Sequence, residues 1–105
     1  MKAPQLILVR LHARPRPNSK FSKKSGGAYV NCLVNFPIAR GAELVAKDYV
    51  SRQKWDVTKK MLTTVVTRKN YKGDTQLEAY FDEALKFGIS GAFYLYPKRK
   101  IKTKK

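Results

Sequence analysis

Basic, aromatic and amide side chains alternate with apolar ones in three stretches of the sequence. They are Arg10, His12 and Arg14 in the first stretch, Tyr29 and Asn31 in the second, and Tyr94 and Tyr96 in the third. Aromatic rings can stack on nucleobases, amides can pair with base edges, and arginine binds phosphate or stacks itself. If these side chains share one open surface, that surface has the chemistry of a single-strand nucleic-acid binder. Ordinary cross-strand tyrosine pairs, or contact with a second subunit, are the alternatives.

Two further segments concentrate positive charge. Residues 15–27 have the Pro, Ser, Asn and Gly content of a loop and carry Arg16, Lys20, Lys23 and Lys24. Residues 98–105 form a basic tail that begins with Lys98, Arg99 and Lys100. The chain as a whole has 23 Lys and Arg against 7 Asp and Glu, a formal net charge of +16. Such an imbalance indicates an anionic partner rather than a neutral small ligand.

The residues that commonly perform catalysis or bind metals are scarce. His12 is the only histidine and Cys32 the only cysteine, so paired-histidine chemistry, an intrachain disulfide and a cysteine metal cluster are excluded. Cys32 alternates with Val30 and Val34 and is expected to be a small core side chain. No phosphate-binding glycine loop is present. We therefore expect no cofactor and no metal site.

The acidic residues are unevenly distributed along the chain. Four of the seven, Asp74, Glu78, Asp82 and Glu83, fall at the start of or within the second predicted helix. The remaining charge is mostly positive and lies in the first strand, the loop and the tail. This separation gives the molecule a directional field of the kind that steers a protein toward a polyanion.

The elements that would position these side chains follow from hydrophobic periodicity. Alternation predicts strands over residues 6–14, 28–36 and 89–96, and a Thr- and Val-rich stretch predicts a further strand over 61–69, whose inward face the pattern does not assign. Apolar residues at helical spacing predict helices over 41–53 and 75–87. Asp74 or Thr75 is expected to cap the second helix, and Gly88 to end it.

The order β-β-α-β-α-β predicts an α+β two-layer sandwich, a four-stranded sheet with both helices on one face. If residues 55–69 contain two strands, the order becomes ferredoxin-like. We expect one domain over residues 1–97 followed by the basic tail at 98–105. No stretch is long and apolar enough for a signal-peptide core or a membrane span, and the single cysteine favours an intracellular, cytoplasmic protein.

The sequence thus favours a small basic nucleic-acid-binding protein that is not an enzyme. Single-stranded or structured RNA is the expected partner, ahead of DNA. Two alternatives stay open: an inhibitor or adaptor, as phages encode, that binds an acidic protein, and a toxin-like endoribonuclease. A homodimer is also compatible with the sequence. The layout shares the logic of RNA-recognition-motif domains, but their octapeptide signature is absent, so no membership follows.

Overall fold

In the computed structural model, which describes residues 5–97, one antiparallel sheet carries two helices. The elements are β1 (Gln5–Pro15), β2 (Ser25–Val34), α1 (Ala39–Arg52), β3 (Trp55–Thr67), a 3₁₀ turn (Arg68–Tyr71), α2 (Thr75–Phe87) and β4 (Ile89–Pro97). The strands are arranged in the order β3-β1-β2-β4, so β3 and β4 are the edges. The predicted α+β class, the four-stranded sheet and the element order are confirmed. The helices of this described part are too short or too polar to cross a lipid bilayer.

Helix α1 covers one face of the sheet. Its buried side chains Ala42, Ala46 and Val50 recur at helical spacing, and the two alanines let the helix approach the strands closely. Beneath them lie the alternate side chains of the two central strands: Ile7, Val9, Leu11, Ala13, Ala28, Val30, Cys32 and Val34. Cys32 lies in this core beside Val30 and Val34, as its alternation with them predicted. Phe21 from the loop closes one end of this core by packing on Trp55, with 5.5 Å between ring centroids.

Helix α2 lies on the opposite face of the sheet, so the prediction that both helices share one face is wrong. Phe81 and Ala84 pack on Leu6, Leu8 and Leu33, whose positions alternate with those under α1. The Ser90 hydroxyl on the same face donates to the Tyr80 carbonyl oxygen at 2.6 Å. The physical reason is that the sheet face opposite α1 is also apolar at one end. Helix α2 packs on that end and leaves the rest of the face uncovered.

The ends of α2 match the chemistry of their residues. The Asp74 carboxylate accepts a hydrogen bond from the Leu77 backbone N–H at 3.0 Å, so Asp74, not Thr75, is the N-cap. Glu78 reaches back to the Gly73 N–H at 2.9 Å. Gly88 adopts the left-handed conformation at φ 95°, which glycine accepts without strain, and this ends the helix as predicted.

Strand β3 is longer than predicted and contains two bulges. It starts at Trp55 rather than at residue 61, and Met61 and Thr58 have no register partner on β1. Each extra residue reverses which face the following side chains occupy. Residues 55–67 form one strand, so within the described chain the ferredoxin-like variant, which needs two, is wrong.

Candidate functional site

The half of the second sheet face that α2 leaves uncovered carries the polar and aromatic side chains. Because register partners point to the same side of a sheet, these side chains form rows across the strands. The row next to α2 contains Leu62, Arg10, Asn31 and Ala92. The following row contains Lys59, His12, Tyr29 and Tyr94. The last contains two register pairs, Asp56 with Arg14 and Gly27 with Tyr96. We call these three rows the open half-face.

The middle and last rows hold an aromatic cluster. The rings of His12, Tyr29 and Tyr96 lie within 5.2–5.7 Å of one another, measured between centroids. Tyr94 is the register partner of Tyr29 on the edge strand. Tyr29 is 44% exposed and Tyr94 is 49% exposed, so both rings present part of their surface to solvent. These two rings are the most exposed aromatic side chains of the open half-face.

His12 is held by hydrogen bonds at both ring nitrogens. Nδ1 lies 2.6 Å from the Thr58 hydroxyl, and Nε2 lies 2.6 Å from the Tyr96 hydroxyl. Because the Thr58 hydroxyl donates to the His12 carbonyl oxygen at 3.1 Å, it accepts from Nδ1–H, and Nε2 accepts from Tyr96. Burial and the positive charges of Lys59 and Arg14 lower the pKa of His12, which favours this neutral form. His12 therefore organises the cluster rather than adding charge to it.

Tyr96 reaches His12 only because position 27 is a glycine. A Cβ at Gly27 would lie 2.4 Å from the Tyr96 hydroxyl and 3.0 Å from the Ala13 carbonyl oxygen. We expect Gly27→Ala to displace the Tyr96 ring, break its hydrogen bond to His12 and lower the free energy of unfolding by about 1–3 kcal/mol. Urea denaturation measures this loss. The matched control is Gly27→Ala in a Tyr96→Ala background, where the cost should be much smaller; an equal cost would show that the ring is not the obstacle.

The row next to α2 contains a side-chain pair with a defined orientation. Arg10 Nε donates to Asn31 Oδ1 at 2.8 Å, and the two residues are register partners on the central strands. Ala92, the neighbour of Asn31 on β4, is buried, so neighbouring side chains cover this end of the row. Tyr71, at the end of the 3₁₀ turn, packs on the adjoining leucine cluster; burial raises the pKa of its phenol, and the charge of Arg10 opposes that rise.

A groove continues the open half-face beyond the ends of β1 and β4. Its volume is about 1340 Å³, and the residues lining it include Arg14, Pro17, Lys23, Gly26, Tyr29 and Tyr96. The groove is thus continuous with the aromatic cluster through Tyr29 and Tyr96. Arg14 and Lys23 are both exposed and place positive charge along it. The groove and the open half-face therefore form one continuous surface with positively charged side chains on both parts.

No family model, curated protein or solved structure matches this chain.

The predicted site residues do not all converge. Seven lie on the open half-face: Arg10, His12, Arg14, Tyr29, Asn31, Tyr94 and Tyr96. Lys23 lines the adjoining groove, and Lys20 and Lys24 line a smaller hollow of about 290 Å³ beside Phe21 and Leu95. Arg16 is engaged within the protein: its guanidinium donates to the Asp56 carboxylate at 2.9 Å and to the Ser51 hydroxyl at 2.8 Å. Lys98, Arg99 and Lys100 fall outside the described residues.

Sequence reasoning missed three contributions to this surface. Lys59 and Thr58 come from β3, whose face the Thr- and Val-rich pattern left unassigned, and the bulge at Thr58 aims its hydroxyl at His12. Leu62 lies beside Arg10 for the same reason. The bulges follow no residue pattern that we recognise, and the only sequence signal of a longer strand is the alternation of Trp55 and Val57 with polar residues.

The side chains that could perform catalysis or bind a metal are either buried or not clustered in the described part of the chain. Burial raises the pKa of the Cys32 thiol to about 12, so it stays protonated in the core under α1. Within residues 5–97, no three His, Cys, Asp or Glu side chains come together as metal ligands.

Proposed function

We propose that this protein binds single-stranded RNA through the open half-face and does not cleave it. The observation that supports this most directly is the combination, on one uncovered half of a sheet, of two half-exposed tyrosine rings with arginine and lysine side chains. Bases stack on such rings while the cations contact the phosphates. The adjoining groove extends the same chemistry past the edge of the sheet.

The pairing of the charges supports an anionic ligand at this place. Salt bridges engage four of the acidic side chains, in the pairs Asp56 with Arg16, Asp48 with Arg52, Glu43 with Lys60 and Asp82 with Arg68. Arg14, Lys59 and Lys23 have no acidic partner among the described residues. Asp56 is the one acidic residue at a register position on the open half-face, and Arg16 neutralises it. The positive potential there is left for a ligand to neutralise.

The shape of the surface favours a single strand over a duplex. Reading a DNA duplex in the major groove requires a protruding helix or ribbon, and the exposed side of α2 carries Asp82 and Glu83, which repel phosphate. The open half-face is a sheet surface on which unstacked bases can lie against tyrosine. RNA offers such unpaired segments in loops and ends.

The arrangement around His12 supports binding without cleavage. A general base needs a free ring nitrogen directed at the substrate, whereas both nitrogens of His12 are engaged with Thr58 and Tyr96. The endoribonuclease alternative therefore lacks its most obvious base. We expect RNA incubated with the protein to remain intact on a denaturing gel.

Fluorescence anisotropy with labelled RNA tests the proposal. If about six phosphates are neutralised, the logarithm of the binding constant should fall against the logarithm of salt concentration with a slope of about −4. Arg14→Ala and Lys23→Ala should each make that slope shallower by about 0.7. Lys47→Ala, which removes an exposed cation from α1 on the other face, is the matched control and should leave the slope unchanged.

Three results would contradict the proposal. They are the absence of saturable binding to single strands at low salt, tighter binding to duplex than to single strands, and RNA cleavage that His12→Ala abolishes. Binding only to an acidic protein would favour the inhibitor alternative.

A further inference from the structure

The pair formed by Arg10 and Asn31 presents only hydrogen-bond donors to the ligand side. Arg10 Nε is always a donor, so the Asn31 atom 2.8 Å away must be the acceptor Oδ1. This fixes the orientation of the Asn31 amide and leaves its Nδ2 group with two N–H donors. The two Nη groups of Arg10 add further donors. Within residues 5–97, neither Nδ2 nor the Nη groups have a protein acceptor in hydrogen-bond range.

The position of this pair suits contact with the edge of a base. Arg10 and Asn31 lie two residues along their strands from His12 and Tyr29, a separation of about 7 Å. A base that stacks on the half-exposed ring of Tyr29 or Tyr94 therefore has one edge above the pair. Arg10 and Asn31 are themselves partly exposed, whereas Ala92 beside Asn31 is buried.

Hydrogen-bond donors on the protein favour the base whose edge presents the most acceptor atoms to them. Guanine presents the adjacent acceptors N7 and O6, whereas adenine places the N6 amino donor beside N7. An amino group facing Arg10 and Asn31 would meet donors and leave both sides unpaired. Cytosine offers O2 and N3 but places its N4 amino donor next to them. Arginine paired with N7 and O6 is also the commonest specific contact to guanine.

We infer that Arg10 and Asn31 form a guanine-selective subsite within the open half-face. This inference rests on the proposed function, because it identifies the base that the same surface prefers. The guanine ring stacks on Tyr29 or Tyr94, and its N7 and O6 accept hydrogen bonds from the pair. Discrimination against adenine should be about 10- to 100-fold in affinity, the range expected for one bidentate contact.

Short oligouridines with one central base varied test the subsite on the unmodified protein. Guanine and inosine, which share N7 and O6, should bind equally well, and adenine should bind about 10- to 100-fold more weakly. 7-Deazaguanine lacks the N7 acceptor and should lose about tenfold. A deoxyribose version of the guanine oligonucleotide should keep the base preference, since the pair does not read the sugar.

Two variants locate the discrimination. Arg10→Lys keeps the charge but removes the planar fork, and Asn31→Ala removes the amide; both should reduce the ratio of guanine to adenine affinity severalfold, whatever their effect on overall RNA affinity. Thermal unfolding checks that both variants fold. Equal binding of adenine and guanine, or of 7-deazaguanine and guanine, overturns the inference while leaving the proposed function standing. Failure of every oligonucleotide to bind overturns both.

Discussion

Replacing Tyr94 with alanine is expected to weaken single-strand binding by about 1–3 kcal/mol at every salt concentration, because it removes one stacking ring and no charge. Tyr94 lies on the edge strand and is 49% exposed. Its loss should cost the fold only the cross-strand pair with Tyr29, about 0.2–1 kcal/mol. Anisotropy titrations at several salt concentrations should therefore give parallel lines for the variant and the parent protein.

Two controls separate stacking from other causes. Tyr94→Phe keeps the ring and should bind like the parent, which excludes a dominant role for the hydroxyl. Phe87→Ala removes an exposed aromatic side chain from the end of α2, outside the open half-face, and should leave binding unchanged. If Tyr94→Ala binds as tightly as the parent but unfolds at lower denaturant, Tyr94 is a structural residue and the open half-face is not a stacking surface.

Tyr96 is a less suitable probe than its neighbour, although the sequence treats the two alike. Both occupy alternate positions of β4, between apolar side chains. In the structure the Tyr96 hydroxyl binds His12 and lies over Gly27. Truncating Tyr96 thus removes a hydrogen bond inside the sheet and opens space beside a glycine. Any loss of binding in that variant mixes stacking with damage to the fold.

Strict alternation explains why the part of one sheet face that the two central strands form could be predicted. Val9 and Leu11 on β1 and Val30 on β2 are buried as their period of two requires, and Cys32 is buried with them. The same period placed Arg10, His12 and Tyr29 together on the other face. Those residues do share a surface, because side chains of paired residues on neighbouring strands point to the same face of the sheet.

The placement of α2 follows from apolar residues that share a sheet face with Arg10 and Asn31. Leu6 and Leu8 precede Arg10 on its own face of β1, and Leu33 follows Asn31 on its face of β2. That face therefore changes from apolar to polar halfway along the strands. An apolar half-face needs a cover of its own, and α2 supplies it. The polar half of the face stays uncovered because α2 packs only on the half that carries the leucines.

Strand β3 could not be predicted in the same detail. Its two bulges, at Met61 and Thr58, break the period of two that assigns a strand to a face. A bulge depends on how the strand pairs with its neighbour, so a single strand's residue pattern does not reveal it. That Lys59 lies on the open half-face is visible only from its pairing with His12 in the sheet.

The separate core under α2 leads to the largest expected change in stability. Phe81 is fully buried among Leu6, Leu8 and Leu33, and its ring also contacts Tyr71 at 6.0 Å between centroids and the Arg68 guanidinium at 5.0 Å. Phe81→Ala should lower the free energy of unfolding by about 3–5 kcal/mol, through lost burial and a cavity that the sheet cannot close. Small domains are stable by only about 5–15 kcal/mol, so this is a large fraction of the total.

Urea denaturation with matched variants decides whether that core holds α2 on the sheet. Phe87→Ala removes the same side chain six positions further along the helix, where it is 68% exposed, and should change stability by less than about 0.5 kcal/mol. Phe81→Leu should recover most of the loss because it refills the cavity. If Phe81→Ala and Phe87→Ala destabilise equally, the second core contributes little. Since α2 and Tyr71 cover the apolar half of this face, a loss confined to Phe81 would also mean that the leucines beside Arg10 and Asn31 depend on α2 for their burial.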